Sequence, residues 1–338
     1  NYKPETATAG ISEGLLRKQG EEVVVRVTDP QAEAWFEELV SPRIKEGADG
    51  WWTDHTDRVS GEIRPGLPSR NLFGNLWNRL LVQIMERNEH SDSLVLSRGG
   101  GIGGQRYAVP WPGDTRAGID AFKDDIWFCS NAGLAGYALC SVDLGGFTPP
   151  SDYSVTDSDV AYKEVFNVPN IRRRLCQSVF IIPVPRIHNS ARSIAKLPWN
   201  CPDKTQDLYR AFLELRYRFT PYFYSYAVQA ANCGEPILRP LVYHWPKDRT
   251  LWDLDDQVMI GEWLMAAPVF EPETTKRNIY LPEGTWINYW TDEVFSGNAS
   301  IEVQTPLNDV SGLPLFVRSG AILPTQPLVQ ALDDNIPT

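Results

Sequence analysis

The sequence has no uninterrupted apolar run of about 18 residues, so it offers no candidate for a membrane-spanning helix. Basic residues are in deficit, because 32 Lys and Arg stand against 43 Asp and Glu and give a net charge of −11. A nucleic-acid-binding surface needs clustered basic charge, so this balance argues against such a partner. The five cysteines show no Cys-x-x-Cys spacing, which argues against a structural zinc site. Cys140 and Cys176 lie in apolar, strand-like runs, which predicts that both are core residues.

Aromatic residues are abundant instead, with 12 Trp and 13 Tyr in 338 residues. One interpretation is a Trp-rich core. The other is a sugar site, because flat aromatic faces pack against the C–H faces of pyranose rings while carboxylates bind their hydroxyls. Composition alone does not separate the two. The single glycosylation sequon at Asn298 and the acidic pI of about 5.0 favour the secretory pathway.

The stretch GWWTDHTD, residues 50–57, places two carboxylates and an imidazole directly after a tryptophan pair. It could be a metal-ligand cluster, a strand that delivers a catalytic carboxylate, or a polar turn after a core strand. On an extended strand His55 would point away from Asp54, and no second histidine lies nearby in the sequence. We therefore predict neither a metal site nor another cofactor here.

Strand-like and helix-like segments alternate from about residue 20 to residue 205, a pattern typical of parallel βα units. Five strands are predicted to end near Asp54, Arg98, Trp111, Asp143 and His188, and the last of them covers residues 178–188 after a helix predicted over 165–177. Polar residues thus fall at the C-terminal ends of the strands, where a (β/α)8 barrel keeps its active site. A closed barrel needs eight strands. The pattern therefore predicts the C-terminal part of a TIM barrel, about five of eight βα units.

The pattern changes after residue 205. Residues 208–234 predict one long helix, and the chain beyond about 250 shows short strands separated by frequent turns, typical of an antiparallel β-sandwich. We predict two domains of an α/β protein: a partial barrel over residues 1–240 and a β-sandwich over residues 241–338. Because three barrel strands have no counterpart, we also predict an N-terminal complementary segment, as a second chain of the same precursor or in the uncut protein.

Eight segments occur in the order seen in one known family. They are DGWWTD, SRGGGIGGQRYAVPWPGD, ALCSVDLGGF, RIHN, ELRYRFTPYFYSYA, EPILRPLVYHWPKD, DDQVMIGEWLMAAPVF and GLPLFVRSGAILP. Together they resemble glycoside hydrolase family 31, which comprises α-glucosidases, α-xylosidases and related transglycosylases. The similarity runs from about residue 20 to about residue 327, nearly the whole chain.

The resemblance implies a pair of catalytic carboxyl groups. Asp54 of WWTDHTD matches the family's nucleophile, and Asp114 of WPGD matches its acid/base. A retaining glycosidase holds two such groups about 5–5.5 Å apart, one ionised for attack and the other protonated for the leaving oxygen. The implied function is a retaining α-glycoside hydrolase, an exo-acting α-glucosidase in the first place, acting on an oligosaccharide or α-glycoside without a cofactor. An α-glucosyltransferase, α-xylosidase or α-galactosidase is the alternative within the family.

The resemblance also implies a set of substrate-binding residues. These are Arg98, Trp111, Asp143, Phe147 and His188. Without it, each has a plainer interpretation: Arg98 and Asp143 could pair with each other, and His188 could be a core histidine. A non-catalytic carbohydrate-binding homologue is the alternative from another class, although a mere binder needs no acid and nucleophile together.

The sequence departs from the family pattern at three positions near the implied site. Asp57 stands where the family usually has Glu, Pro110 where it commonly has His, and Ile119 where it often has Trp. The segment GGGIGG superficially resembles a phosphate-binding loop, but it lacks the Gly-Lys-Ser/Thr ending. These departures make the identity of the sugar the least predictable property of the site.

Overall fold

The computed structural model describes residues 4–19, 22–64, 66–116, 118–148, 176–188, 190, 197–201, 203–271 and 273–331. The chain divides into two compact units, Asn1–Trp111 (unit 1) and Pro112–Thr338 (unit 2). None of the helices in the described ranges is long and apolar enough to cross a bilayer.

Unit 1 is built from βα segments and two hairpins. Its helices are α1 (Pro4–Ser12), α2 (Pro30–Lys45) and α3 (Arg70–Arg87). Its strands are β1 (Leu16–Gln19), β2 (Glu22–Val25), β3 (Gly50–Thr53), β4 (Glu62–Arg64), β5 (Leu67–Pro68), β6 (Leu94–Ser97) and β7 (Val109–Pro110). β3, β6 and β7 form a parallel sheet in that order, whereas β1–β2 and β4–β5 are antiparallel pairs.

Local sequence signals set the bounds of α2. Asp29 caps the helix, because its Oδ1 accepts a hydrogen bond of 2.9 Å from the backbone N–H of Gln31. Pro30 takes the first helical position, where its missing N–H costs nothing. The helix ends before Gly47, whose φ of 106° is left-handed. Both ends of the helix thus follow from signals that stand in the sequence, a capping aspartate before it and a glycine after it.

Unit 2 combines two further parallel strands, several helices and an antiparallel part, and the helix that ends at residue 181 is described only from residue 176. Its helices are α4 (Ile119–Leu134), α5 (Asp203–Arg218) and α6 (Thr220–Cys233). Its strands are β8 (Ser141–Asp143), β9 (Val184–Arg186), β10 (Leu238–Pro240), β11 (Val258–Ile260), β12 (Leu264–Ala266), β13 (Lys276–Leu281), β14 (Thr285–Asn288), β15 (Val294–Ser296), β16 (Ala299–Gln304) and β17 (Leu315–Arg318). β8 and β9 pair in parallel. The predicted barrel strands thus correspond to β3, β6, β7, β8 and β9.

The antiparallel part is a β-sandwich. One sheet has six strands in the order β10-β11-β12-β17-β14-β15, and the other is the β13–β16 pair. Alternate residues of the larger sheet face opposite ways, as the period of a strand requires. Met259, Met265 and Phe316 pack in the cluster that contains Ile279 and Leu281 of β13. Their strand neighbours belong instead to the cluster formed with α4, α5 and α6.

Two predictions about secondary structure are wrong. Residues 208–234 form two helices rather than one, and the break falls at Phe219 because Pro221 has no N–H to continue the first helix. Residues 178–181, expected in a strand reaching His188, end a helix instead, and only Val184–Arg186 is extended. This run is buried throughout and apolar after Ser178, so its periodicity does not distinguish a helix from a strand.

Cysteine usage differs partly from expectation. Cys140, expected to be a core residue, is buried and forms a disulfide with Cys129 of α4. Cys176 is buried and free. The helix predicted over 165–177 lies almost wholly outside the described residues. The predicted domain boundary after residue 240 stays a prediction.

Candidate active site

Three of the predicted site residues meet at one edge of the parallel sheet of unit 1. Asp54, Arg98 and Trp111 each follow the C-terminal end of a strand. The strand pairing continues into them, because the N–H of Arg98 donates to the carbonyl of Thr53 at 3.1 Å and the N–H of Trp111 donates to the carbonyl of Ser97 at 3.1 Å. The carboxyl ends of parallel strands share an edge, which is why residues so distant in sequence converge here.

The carboxylate of Asp54 lies against the guanidinium of Arg98. Arg98 Nη1 donates to Asp54 Oδ1 at 3.3 Å, while Arg98 Nε lies 3.6 Å from Asp57 Oδ1. The guanidinium carbon also lies 5.8 Å from the ring centroid of Trp111. Two carboxylates and an indole therefore fix the cation in place, and its charge compensates that of the ionised Asp54.

His55 does not point away from Asp54, and that expectation is wrong. The residue is not extended, because its φ is 61° and its backbone is left-handed. Its N–H donates to Asp54 Oδ1 at 2.7 Å, and its ring Nε2 lies 3.4 Å from Asp54 Oδ2. The turn after β3 thus brings the imidazole back over the carboxylate.

Close backbone packing holds that turn in place. A Cβ at Gly99 would lie 2.1 Å from Thr56 Oγ1 and 2.8 Å from the backbone nitrogen of Asp57. A Cβ at Gly74 of α3 would lie 2.6 Å from the carbonyl carbon of Gly99. Helix α3, the segment after β6 and the turn after β3 therefore stack with no room for side chains. This approach explains the glycine at position 99 without any phosphate-binding role.

Asp54 and His55 also line a cavity of about 570 Å³ within unit 1. Its other walls are largely apolar and include Phe36, Trp51, Trp52, Phe73 and Trp77. Trp52 is 49% exposed although it lies on β3, and its ring centroid is 5.7 Å from that of Trp111. Polar and aromatic groups thus share one concavity, as in many small-molecule sites.

The second group of predicted residues lies in unit 2. Asp143 ends β8 and is fully buried, and its Oδ1 accepts a short hydrogen bond from Arg186 Nη2 of β9. The backbone supports this pair, because the N–H of Leu144 donates to the carbonyl of Arg186 at 2.9 Å. Asp143 is therefore a fixed, charge-compensated carboxylate.

The loops after β8 and β9 bring Phe147 and His188 together. Their rings stack at a centroid distance of 5.1 Å with an interplanar angle of 26°. The N–H of Phe147 also donates to the carbonyl of Thr115 at 2.7 Å, which joins this loop to the residue after Asp114. Asp114 itself is exposed. Unit 2 thus presents an accessible carboxyl group on a segment tied to an aromatic pair.

Sequence reasoning missed two residues of these groups. Arg186 precedes His188 by two positions, so strand alternation could have placed both on one face. His55 had no such signal, because its position depends on a left-handed backbone that sequence patterns do not specify. Among the described residues, no group of three or more His, Cys, Asp or Glu side chains could hold a metal ion.

Parallel strands that present polar and aromatic side chains at their C-terminal ends are typical of (β/α)-barrel enzymes. Comparison with known proteins gives the family. Residues 5–226 match the glycosyl hydrolases family 31 TIM-barrel domain, and residues 234–323 match the glycosyl hydrolase family 31 C-terminal domain. The chain belongs to glycoside hydrolase family 31, as its sequence motifs predict, and the members it resembles are glycoside hydrolases and glycosyltransferases.

Individual relatives agree with this assignment. An α-glucosidase of Saccharolobus solfataricus is 30% identical over 86% of this chain and 45% of its own length. An α-xylosidase of the same organism is 29% identical over 82% of this chain and 38% of its own. A family 31 dextranase of Flavobacterium johnsoniae in complex with isomaltotriose has the same fold, with a TM-score of 0.84 and 24% identity over 98% of this chain. The chain spans less than half the length of each of these proteins.

Proposed function

We propose that the protein is a retaining α-glycoside hydrolase, in the first place an exo-acting α-glucosidase that releases terminal non-reducing glucose. The observation that carries the proposal is the environment of Asp54. Its carboxylate ends a barrel strand, is partly exposed, and contacts the Arg98 guanidinium at 3.3 Å. An accessible carboxylate beside a fixed cation is suited to attack on an anomeric carbon.

Asp54 acts as the nucleophile. One of its oxygens bonds to the anomeric carbon as the bond to the leaving oxygen breaks, which forms a glycosyl ester. The contact from Arg98 and the N–H of His55 both fall on Oδ1. Oδ1 therefore becomes the carbonyl oxygen of the ester, where donors remain favourable, and Oδ2 is the attacking atom.

Asp114 acts as the acid/base. It gives its proton to the leaving oxygen in the first step and takes a proton from water in the second, when that water releases the ester and restores Asp54. Its exposed position in a Pro-Gly-Asp turn supports this role, because the proton must reach both the leaving group and solvent. Two inversions at one carbon give net retention.

The remaining residues bind the sugar or support those that do. Asp143 is buried and held by Arg186, so it supports the loop that carries Phe147, and the stacked Phe147 and His188 offer the sugar a flat face and a ring N–H. Trp111 and Arg98 contribute an aromatic face and a donor beside Asp54. Relatives named as an α-glucosidase, an α-xylosidase and a 1,6-α-glucosyltransferase match at similar identity. The preference for glucose is therefore the most specific part of the proposal, and the comparison of substrates below tests it.

We further propose that an N-terminal segment of the same protein, joined or nicked, completes the barrel next to unit 1. Within the described residues β3 is the outer strand of its sheet, and it carries the half-exposed Trp52. The aromatic cavity beside it has apolar walls that water would otherwise wet. Unpaired strand edges and apolar grooves of this kind are normally covered in a stable protein.

The experiment compares leaving groups on the full-length protein. We expect turnover of aryl α-glucoside above aryl α-xyloside and α-galactoside. Asp114→Ala should lose about 10³-fold on maltose-type substrates yet keep much of its rate on a dinitrophenyl glycoside, whose leaving group needs no proton. Equal losses on both substrates would remove Asp114 from the acid role. No turnover of any α-glycoside by the wild type would overturn the proposed function.

A further inference from the structure

His55 contacts both oxygens of one carboxylate through two different groups. Its backbone N–H donates to Asp54 Oδ1 at 2.7 Å, and its ring Nε2 lies 3.4 Å from Asp54 Oδ2. Arg98 Nη1 also donates to Oδ1, at 3.3 Å. Oδ2 is therefore the oxygen that faces the imidazole. It is also the atom that attacks the anomeric carbon in the proposed function.

The backbone of His55 adopts a conformation that most side chains avoid. Four non-glycine residues of the described ranges have positive φ, and they are His55, Glu89, Asp292 and Asn298. Of these, only His55 lines the cavity of unit 1. Strained backbone conformations that persist at a cavity are held by their surroundings and often belong to the mechanism.

The surroundings of His55 do hold this conformation. The next residue, Thr56, is buried, and the backbone of Gly99 packs directly against it. The N–H of Arg58 donates to the carbonyl of His55 at 3.0 Å and closes the 3-10 turn that follows. The fold of the turn thus fixes the backbone from which the ring projects.

We infer that His55 is a positioning residue for the proposed nucleophile, and that its ring holds the orientation of the Asp54 carboxylate. The inference rests on the proposed function, because it assigns His55 a role only through Asp54. The carboxylate is 38% exposed and would otherwise rotate about its terminal bond. A ring carrying its proton on Nε2 contacts Oδ2 while the backbone N–H holds Oδ1, so one orientation is kept.

This role has a kinetic signature. The ring acts on Asp54, so its loss lowers the rate of ester formation more than the affinity for the sugar. Misplacing a reacting group, or losing one hydrogen bond to a charged group, reduces rates by about 10- to 100-fold. The backbone N–H is kept in every variant except proline, so side-chain substitutions isolate the contribution of the ring.

The test uses His55→Asn and His55→Gly in the full-length protein, with Glu89→Asn as the matched control. Asn and Gly both tolerate the left-handed backbone, and Glu89 is an exposed residue with φ of 68° away from the site. We expect kcat on an aryl α-glycoside to fall about 10- to 100-fold in both His55 variants, with KM within about threefold. Added imidazole should restore part of kcat in His55→Gly, and Glu89→Asn should match the wild type.

Two outcomes overturn the inference. If His55→Asn keeps kcat within about twofold, the ring does not position the nucleophile. If only KM rises, His55 contacts the sugar itself. Asp54→Asn is measured in parallel, so that a failure of the proposed function can be distinguished from a failure of the inference about His55. An active Asp54→Asn defeats the proposed function, whereas an inactive Asp54→Asn beside a normal His55→Asn defeats this inference alone.

Discussion

Two aspartates, one in each unit, follow barrel strands in the same way and have opposite surroundings. Asp54 has a side chain that is 38% exposed, and its neighbours Arg98 and His55 contact it at 3.3–3.4 Å. Asp143 is 0% exposed and is bound tightly by Arg186. A carboxylate that is proposed to react keeps an oxygen accessible, whereas one that supports a loop can be locked in place. Position on the strand alone therefore does not distinguish the two roles.

The supports of the two aspartates differ as well. In unit 1 the turn after β3 is held by backbone against backbone, since Gly74 and Gly99 leave no room for a Cβ. In unit 2 the loop after β8 is held by an ion pair and by the stacked rings of Phe147 and His188. Damage to the first support should displace a reacting group, and damage to the second should remove stability.

Neutralising each aspartate in turn tests most directly whether the two carboxylates differ in this way. Asp54→Asn should lower turnover of an aryl α-glycoside at least about 10³-fold, because a nucleophile has no substitute. Its melting temperature should stay within about 2 °C of the wild type, since an exposed side chain contributes little stability. Asp143→Asn should instead lower the melting temperature by about 6–12 °C, because Arg186 is left with an uncompensated charge worth about 3 kcal/mol.

A matched double variant checks the second half of that prediction. Asp143→Asn combined with Arg186→Met removes both charges, and it should recover part of the lost melting temperature. Calorimetry on all three proteins gives the comparison. If Asp54→Asn and Asp143→Asn lose the same stability, the two carboxylates do not differ as described.

Gly99→Ala tests the backbone support and should have a smaller effect. A Cβ at this position would overlap Thr56 Oγ1 at 2.1 Å, so the turn that carries Asp54 and His55 must shift. A displacement of about 1 Å at a reacting group costs about 10- to 100-fold in kcat/KM. Gly118→Ala is the control, because no atom of the part of the chain that the structure describes lies within 4 Å of its Cβ position.

A second substitution sharpens this test. The Cβ at position 99 would also lie 2.8 Å from backbone atoms of Thr56 and Asp57. Removing the Thr56 hydroxyl in Gly99→Ala/Thr56→Ala should therefore not restore activity. Full recovery in the double variant would assign the effect to one side chain and contradict the backbone account.

The smallest predicted effect concerns His244, whose substitution should change the stability of the protein and leave its activity unaltered. Burial, followed by the charges of Arg239 and Arg318, lowers its pKa from 6.5 to about 4. Between those values the unfolded chain takes up a proton that the folded protein does not bind. The free energy of unfolding therefore keeps its full value above pH 6.5 and decreases as the pH falls toward 4.

Thermal unfolding at several pH values measures this linkage. His244→Asn should lose less melting temperature between pH 7 and pH 4 than the wild type, by about 3 °C after the shift is discounted for solvent screening of the part-exposed ring, with unchanged kcat at neutral pH. The comparison uses the difference between the two curves, so other titrating groups cancel. Parallel curves for the two proteins would mean that His244 is not held neutral by its surroundings.

Much of the fold was predictable because it depends on local pattern. The five barrel strands, the Asp29 cap and the antiparallel C-terminal strands follow from periodicity and turn residues. The break at Pro221 was readable in principle, since proline cannot continue a helix without distortion. The buried run at residues 178–181 was not readable, because an apolar segment fits a helix and a strand equally well.

The site was predictable only where motif and strand end coincide. Asp54, Arg98 and Trp111 meet as expected because parallel strands bring their C-terminal ends together. Asp143 was identified but its partner Arg186 was not, since pairing across strands depends on register. His55 was misplaced because its left-handed backbone is imposed by the packing of Gly99, a contact between distant segments.

The central claim is that Asp54 is the nucleophile of a retaining glycosidase. A 5-fluoroglycosyl fluoride inactivates such enzymes by leaving a slowly hydrolysed ester on the attacking carboxylate. Inactivation of the full-length protein, followed by proteolysis and mass spectrometry, should place the adduct on Asp54 within the peptide around residues 49–58. An adduct on Asp57 or on any other carboxylate, or an active enzyme that forms no adduct, would contradict the account.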